Sequence, residues 1–161
     1  MQLSSWLGHL GYFEQVEQGA DDQVARQRQH SGFVHSYLGV LEWRRGNLSR
    51  AVVQVEALLQ TCVALRDRWL LSFAAQATVV LVGSGDQTAA WARLLGAADA
   101  LGQATGGATF GWEHLPGAED VVRLREQLGQ EAELSAAYRE ALTLPFARVA
   151  ALALTLLGEI A

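Results

Sequence analysis

Apolar residues recur along most of the chain at the three- and four-residue spacing of amphipathic helices. The clearest case is centred on Gly46 and Asn47, where two such patterns meet at a predicted turn. Glycine suits this turn because it adopts a positive φ without steric cost. The apolar face after the turn comprises Leu48, Ala51, Val52, Val55, Leu58, Leu59 and Val63. Small residues at Gly39 and Ala51 would let the two helices approach closely, so the sequence predicts an antiparallel hairpin.

The same spacing predicts seven or eight helices and no strand. The stretch from Val24 to Arg45 is read as one helix or as two in line, with a kink at Ser31 and Gly32. The predicted helices run from Ser4 or Ser5 to about Gln18, Val24 to Arg45, Leu48 to about Leu65, Trp69 to Val82, Thr88 to Thr105, Glu119 to Leu128, Glu131 to Leu142 and Phe146 to Leu157. We expect a turn over residues 19–22 and a long loop over residues 106–117.

An internal repeat accompanies these helices. The Gly46-Asn47 pair recurs as Gly85-Asp86, 39 residues later (85 − 46), and the apolar positions after each pair correspond. Tetratricopeptide repeats have a period of about 34 residues and consist of helix pairs. We therefore predict an all-α, tetratricopeptide-like helical-repeat solenoid of antiparallel helix hairpins, forming a single domain over residues 1–161.

Composition narrows the class of protein. Half of the 161 residues are hydrophobic, 18% are charged and the formal net charge is −5. A chain of this length and composition suits a globular domain with a substantial core. The acidic balance disfavours direct nucleic-acid binding, which requires a surplus of Lys and Arg.

A single cysteine excludes an internal disulfide, and the N-terminal segment has no basic region typical of a signal peptide, so we expect a cytoplasmic location. The most apolar stretch, Trp69 to Gly83, is short for a membrane helix, and no membrane association is expected.

Several motifs, in order, carry a family resemblance. They are LGVLEWRRGNLSRA, LRDRW, AAWARLLGAADALGQATG, a proline-containing loop, LREQLG and LSAAYREALTLPFARVAALAL. This order resembles the C-terminal tetratricopeptide-like region of LuxR-type and SARP-type bacterial transcriptional regulators and related signal-transduction ATPases. The resemblance covers roughly residues 33–157. The matching positions are Ala89, Leu94, Leu95, Gly96, Ala97, Ala98, Ala104, Gly106, Leu128 and Gly129.

Two positions depart from the family pattern, with Ala141 where glycine is common and Pro145 where a serine or threonine cap is usual. The family's DNA-binding and ATPase modules lie outside this region, and the chain contains no P-loop motif. The resemblance therefore implies the sensor or protein-interaction part of such a regulator, or a stand-alone relative, without DNA binding or ATP hydrolysis.

The stretch from Thr78 to Ala89 imitates a strand followed by the nucleotide-binding fingerprint G-x-G-x-x-A. A nucleotide site of this kind needs a parallel sheet, whereas the chain offers a single β-branched run, preceded by a helical pattern. A metal site is disfavoured because His9, His30, His35 and His114 lack the clustered spacing of zinc ligands. Cys62 lies late in its predicted helix, where the dipole does not favour a thiolate, so we expect a buried small hydrophobe. No cofactor or metal is expected.

A binding groove follows from the implied family geometry, in which the first helix of each hairpin lines a concave face. The candidate groove residues are Phe33, Ser36, Val40, Trp43, Arg44, Ser72 and Val79, together with Ala75 and Val82. Trp43 beside Arg44 would suit an acidic or aromatic ligand group. The alternative is that Trp43 packs against a neighbouring repeat.

The predicted function is a non-catalytic scaffold that binds a protein, a peptide or a small effector. One alternative is a homodimerisation module that uses the apolar C-terminal helix, provided that no other repeat covers this helix. A small α-helical enzyme fits less well, because no carboxylate, histidine or thiol cluster has catalytic spacing.

Overall fold

The computed structural model describes residues 20–83, 89–105 and 117–161. Every regular element in these ranges is helical and none is a strand, which confirms the all-α prediction. The helices are α1 (Ala20–Arg44), α2 (Leu48–Leu65), α3 (Arg68–Val82), α4 (Ala90–Ala104), α5 (Ala118–Gln130), α6 (Ala132–Glu140) and α7 (Phe146–Ile160), with a 3-10 turn at Ala141–Thr143. The first predicted helix lies outside the described residues.

One local prediction for the start of the chain was wrong, and one of two alternatives was resolved. The predicted turn at residues 19–22 is instead the beginning of α1 from Ala20 onward, while Gly19 lies outside the described residues. The helix continues through Ser31 and Gly32 without interruption, so α1 is one helix.

The hairpin of α1 and α2 confirms the prediction for the Gly46 turn. Gly46 has a φ of +82°, in the left-handed region. A Cβ placed on Gly39 would lie 2.7 Å from Val55 Cγ2 and 3.4 Å from the Ala51 carbonyl oxygen. The missing side chain of Gly39 therefore lets the two helices approach closely, as the sequence predicted.

Helix α3 is the centre of the fold. All thirteen residues from Leu70 to Val82 are buried, and the helix packs against α1, α2, α4, α5 and α7. Asp67 caps its N-terminus by accepting a hydrogen bond from the Leu70 N–H at 3.0 Å. A helix that is apolar on all sides is typical of a buried position. Because Val79 to Val82 are helical, the strand required by the nucleotide-binding alternative is not formed.

The second half of the chain folds back onto this centre. Helix α4 packs against α3 and α6, and α7 packs against α2, α3 and α4. Along α7, Val149, Ala153 and Leu157 are fully buried. The apolar C-terminal helix is therefore covered on one face by its own chain. The second copy of the repeat turn, Gly85-Asp86, lies outside the described residues.

One described helix, α2, is long and apolar enough to cross a bilayer by length and composition alone. The sequence reasoning had not singled it out. Its inner face, which includes Val55, Leu58 and Leu59, is fully buried in the protein core. Core helices of globular proteins pass the same test, so this property is weak evidence of a membrane span.

Candidate functional site

A cleft of about 570 Å³ lies between α3, α4, α5 and α6. This volume falls within the range of small-molecule and peptide-side-chain pockets. Phe73 and Val121 contribute apolar wall, and both are almost fully buried. Polar groups converge on the same space from Ser72, Gln76 and Asp99. An apolar cleft with a few placed polar groups is the usual form of a binding site.

The side chain of Gln76 lies between this cleft and a second cavity of about 20 Å³. Gln76 is only 7% exposed, because it belongs to the central helix α3. Within the part of the chain that the structure describes, its carboxamide makes no hydrogen bond. Its amide atoms are not among the buried side-chain atoms that lack a partner in the described residues, so they are accessible to water or to a ligand in the cleft.

One wall of the cleft is held by three side chains from three helices. Arg125 of α5 donates two hydrogen bonds to the carboxylate of Asp99 on α4, at 2.6 Å from Nη1 and 2.5 Å from Nη2. The hydroxyl of Tyr138, on α6, donates a third hydrogen bond to Asp99 Oδ2 at 2.5 Å. We call these residues the Asp99 cluster. Bidentate pairs of this kind are among the stronger polar contacts in proteins, so the cluster fixes the relative positions of the three helices.

The Asp99 cluster also changes how its members titrate. The hydrogen bonds to Asp99 raise the pKa of Arg125, although burial opposes this effect. Burial is the main cause that raises the pKa of Tyr138 above its ordinary value of 10.0, and the hydrogen bond to Asp99 adds to it. Arg125 therefore stays cationic and Tyr138 neutral at physiological pH.

The predicted groove residues are distributed over several environments. Val40 and Val79 are core residues, 2% and 0% exposed, so their side chains do not face a groove in this structure. Ser36 and Val40 line the small second cavity, which has room for about one water molecule. Ser72 is the one predicted groove residue that lines the large cleft, and its hydroxyl donates to the Trp69 carbonyl oxygen at 2.6 Å. The side chain of Phe33 lies outside the described part of the chain.

The same mapping placed Ala75 and Val82 in the groove, and both are core residues of α3. The physical reason for these differences is the position of α3. The mapping assumed that α3 would line a concave surface, whereas this helix is enclosed on all sides by its neighbours.

Trp43 and Arg44 contact the protein itself. Trp43 is partly buried and packs against the hydrophobic core, in keeping with the packing alternative. Nη2 of Arg44 lies 3.3 Å from Glu119 Oε1 and 3.6 Å from Asp120 Oδ2, at the start of α5. The acidic group that the sequence assigned to a ligand is thus supplied by α5. Binding of a partner at Trp43 and Arg44 stays a prediction.

Other candidate groups have structural partners. Cys62 is fully buried, as predicted, and burial, with a smaller contribution from the charge of Asp67, raises the pKa of its thiol. His35 Nδ1 lies 2.5 Å from Gln54 Oε1 on the facing helix. Among the described residues, no group of three His, Cys, Asp or Glu side chains is placed to hold a metal ion. His9 and His114 lie outside these residues.

Sequence reasoning missed the residues that form the cleft. Asp99 and Tyr138 are 39 residues apart, and their contact depends on the packing of α4 against α6. Gln76 could have been singled out from the sequence, because a polar amide side chain is unusual in the middle of a mostly apolar helix. That signal identifies a candidate residue but not the cleft it faces.

The sequence matches no protein-family model, and the comparisons with curated proteins and with solved structures likewise find no match.

Proposed function

We propose that this chain is a non-catalytic binding module whose ligand occupies the cleft between α3, α4, α5 and α6. The observation that carries the proposal is the combination of volume and lining. About 570 Å³ of space is bounded by apolar walls and by Gln76, whose carboxamide has no hydrogen-bond partner among the described residues. We favour a peptide or another protein segment as the ligand. A small effector that carries similar apolar and hydrogen-bonding groups is the alternative.

The Asp99 cluster supports a binding role over a catalytic one. The carboxylate of Asp99 accepts hydrogen bonds from Arg125 and Tyr138, so these groups satisfy one another. A general base has to reach a proton of the substrate, and a carboxylate held by three donors is poorly placed to do so. We therefore propose recognition without a bond-making step.

We also propose that the helices form a tetratricopeptide-like scaffold and that the chain is part of a transcriptional regulator. Helices α1 and α2 pair, α3 and α4 pair, and α1 also contacts α3, as neighbouring hairpins of a tetratricopeptide-like scaffold would. The return of α7 onto α2 is an added feature, because open solenoids make contacts mainly between neighbouring repeats. A role as the cytoplasmic interaction part of a bacterial transcriptional regulator rests on the family resemblance alone.

Gly102 offers a direct test because it lines the cleft and has open space where a side chain would extend. Gly102→Trp would add an indole at the wall of the cleft, from a Cβ position that has no other atom within 4 Å. Gly129→Trp is the matched control, since Gly129 also has open space and lies on α5 at a position that does not line the cleft. Circular dichroism and the Tm would establish that both variants fold.

The ligand assay is selection from a displayed library of random peptides of about twelve residues, followed by affinity measurement on each variant. We expect peptides that bind the wild type and Gly129→Trp equally and that lose about tenfold or more in affinity for Gly102→Trp. If the library yields no peptide with this dependence on Gly102, the cleft is not a peptide-binding site and the favoured partner class is wrong.

The homodimer alternative has less surface to use than the sequence suggested. One face of α7 packs against α2, α3 and α4. On the rest of the helix Leu154 is 39% exposed, and Phe146, Leu152 and Ile160 are half-buried. Homodimerisation stays a prediction, and light scattering at high protein concentration tests it.

A further inference from the structure

The carboxamide of Gln76 restricts the chemistry that the cleft can accept. This group has two N–H donors and one carbonyl acceptor, and no described residue hydrogen-bonds to it. The small cavity beside it has room for about one water molecule, which would satisfy part of this capacity. Gln76 also lines the large cleft, so a ligand there is within reach of its side chain. A ligand that offers both an acceptor and a donor at this point would complete the hydrogen bonding.

An extended peptide offers that pair. In an extended chain, the N–H and C=O of one residue point to the same side, and this is how facing residues of antiparallel strands exchange two hydrogen bonds. A carboxamide presents its own N–H and C=O side by side and can replace one such facing residue. Gln76 is therefore suited to pair with the main chain of a peptide.

Charge favours a neutral ligand. The carboxylate of Asp99 is neutralised by Arg125 and accepts a further hydrogen bond from Tyr138. Glu119, at the edge of the cleft, forms an ion pair with Arg44 at 3.3 Å. A charged group that entered the cleft would lose hydration and find these countercharges already paired.

The apolar wall favours a hydrophobic side chain. Phe73 and Val121 are 5% and 4% exposed, and both border the cleft next to Gln76. An apolar side chain that packed against them would be removed from water while the peptide main chain lies beside the carboxamide. The hydrogen-bonding and apolar features are thus adjacent, as the recognition of one extended residue requires.

We infer that the cleft binds an uncharged, apolar peptide segment in extended conformation, whose main-chain N–H and C=O pair with the carboxamide of Gln76. This inference rests on the proposed function, and it adds the ligand class and the residue that recognises it. It makes Gln76 a binding residue for the peptide backbone and assigns the Asp99 cluster the role of holding the wall in place.

The test uses the peptides selected on the wild-type protein that depend on Gly102. Their affinities are measured for Gln76→Met, which keeps a similar length and removes the donor and the acceptor. Gln127→Met is the control, because Gln127 is exposed on α5 and does not line the cleft. We expect binding to weaken by about tenfold for Gln76→Met and to stay unchanged for Gln127→Met. We also expect the selected peptides to have uncharged residues at the positions that bind.

A second measurement leaves the protein unaltered and so does not depend on whether Gln76→Met folds. Each main-chain nitrogen of a selected peptide is methylated in turn, which removes one N–H donor at a time. A single position whose methylation weakens binding to the wild type by about tenfold supports pairing with Gln76. If no single methylated nitrogen weakens binding more than the others, the pairing with Gln76 is contradicted.

The outcomes separate the two proposals. Peptides that depend on Gly102 but carry charged residues at the binding positions, or that bind Gln76→Met normally, would overturn this inference and leave the binding function intact. Selection of no cleft-dependent peptide would overturn this inference together with the choice of a peptide as the favoured ligand.

Discussion

A Cβ on Gly96 would collide with the main-chain carbonyl oxygen of Tyr138. Helices α4 and α6 therefore touch backbone to backbone at this point. One turn further along α4, Asp99 accepts the hydrogen bond from the Tyr138 hydroxyl at 2.5 Å. The absence of a side chain at Gly96 thus permits the approach that assembles the Asp99 cluster and one wall of the cleft.

The first prediction concerns this contact. Gly96→Ala should destabilise the protein by about 1–3 kcal/mol, because the obstacle is backbone that cannot rotate away. Gly102→Ala is a control on the same helix, where a Cβ has open space, and it should stabilise by about 0.5–1 kcal/mol through the greater helix propensity of alanine. Urea denaturation followed by circular dichroism measures both. Equal stability of the two variants would show that α4 and α6 are not in contact at Gly96.

The second prediction concerns the turn between α1 and α2. Gly46→Val should lower the free energy of unfolding by more than about 1 kcal/mol, because a β-branched residue resists a φ of +82°. No atom lies within 4 Å of the position that a Cβ would take, so the loss would come from backbone strain and not from a clash. Gly46→Asn should be milder, since asparagine tolerates the left-handed region. A Tm for Gly46→Val equal to that of the wild type would contradict the turn assignment.

The third prediction uses the single cysteine of the chain. Cys62 is fully buried, and burial raises the pKa of its thiol, so the reactive thiolate is scarce in the folded protein. Ellman's reagent at mildly alkaline pH should label the native protein very slowly and label it completely in concentrated guanidinium chloride. Rapid labelling without denaturant would place Cys62 at the surface.

The fourth prediction concerns the titration of Tyr138. Its pKa in the folded protein is raised above 10.0, mainly by burial and then by the hydrogen bond to Asp99. Between pH 10 and the raised value, the unfolded chain releases the phenol proton while the folded chain keeps it. The contribution of Tyr138 to stability is therefore complete below pH 10 and is lost as the pH rises through the folded-state pKa.

Absorbance titration of the wild type against Tyr138→Phe isolates this phenol from the other two tyrosines. In Asp99→Asn, the pKa of Tyr138 should move toward 10.0, because the carboxylate that opposes ionisation is gone. Denaturation at several alkaline pH values should show a smaller loss of stability for Tyr138→Phe than for the wild type. A Tyr138 that titrates near 10.0 in the wild type would contradict the contact with Asp99.

Local features of the fold were predictable from the sequence. The bounds of α2 and the positive φ at Gly46 follow from periodicity and from the special conformational freedom of glycine. The apolar pattern of α3 predicted a helix but not its buried position, because the implied family geometry assigned several of its residues to a groove. The properties that were predicted depend on residues that are close in sequence, which is why pattern alone reveals them.

The candidate site was not predictable in this way. Gln76 is visible in the sequence as a polar residue within an apolar helix, but the space it faces is formed by α4, α5 and α6 as well as by α3. Arg44 pairs with Glu119, which lies 75 residues away. A contact between residues so far apart has no signature in the sequence around either of them. The tetratricopeptide-like arrangement and the regulator setting stay proposals.

The sequence by itself determined that the described chain is helical and where its main hairpin turns. These outcomes follow from the spacing of apolar residues and from glycine at a turn, both of which act over a few residues. Only the tertiary structure decided that α7 returns to cover α2 and α3, that Asp99 meets Arg125 and Tyr138, and that a cleft opens beside Gln76. Those outcomes depend on how whole helices pack, and packing is set by the shape of every contacting side chain at once.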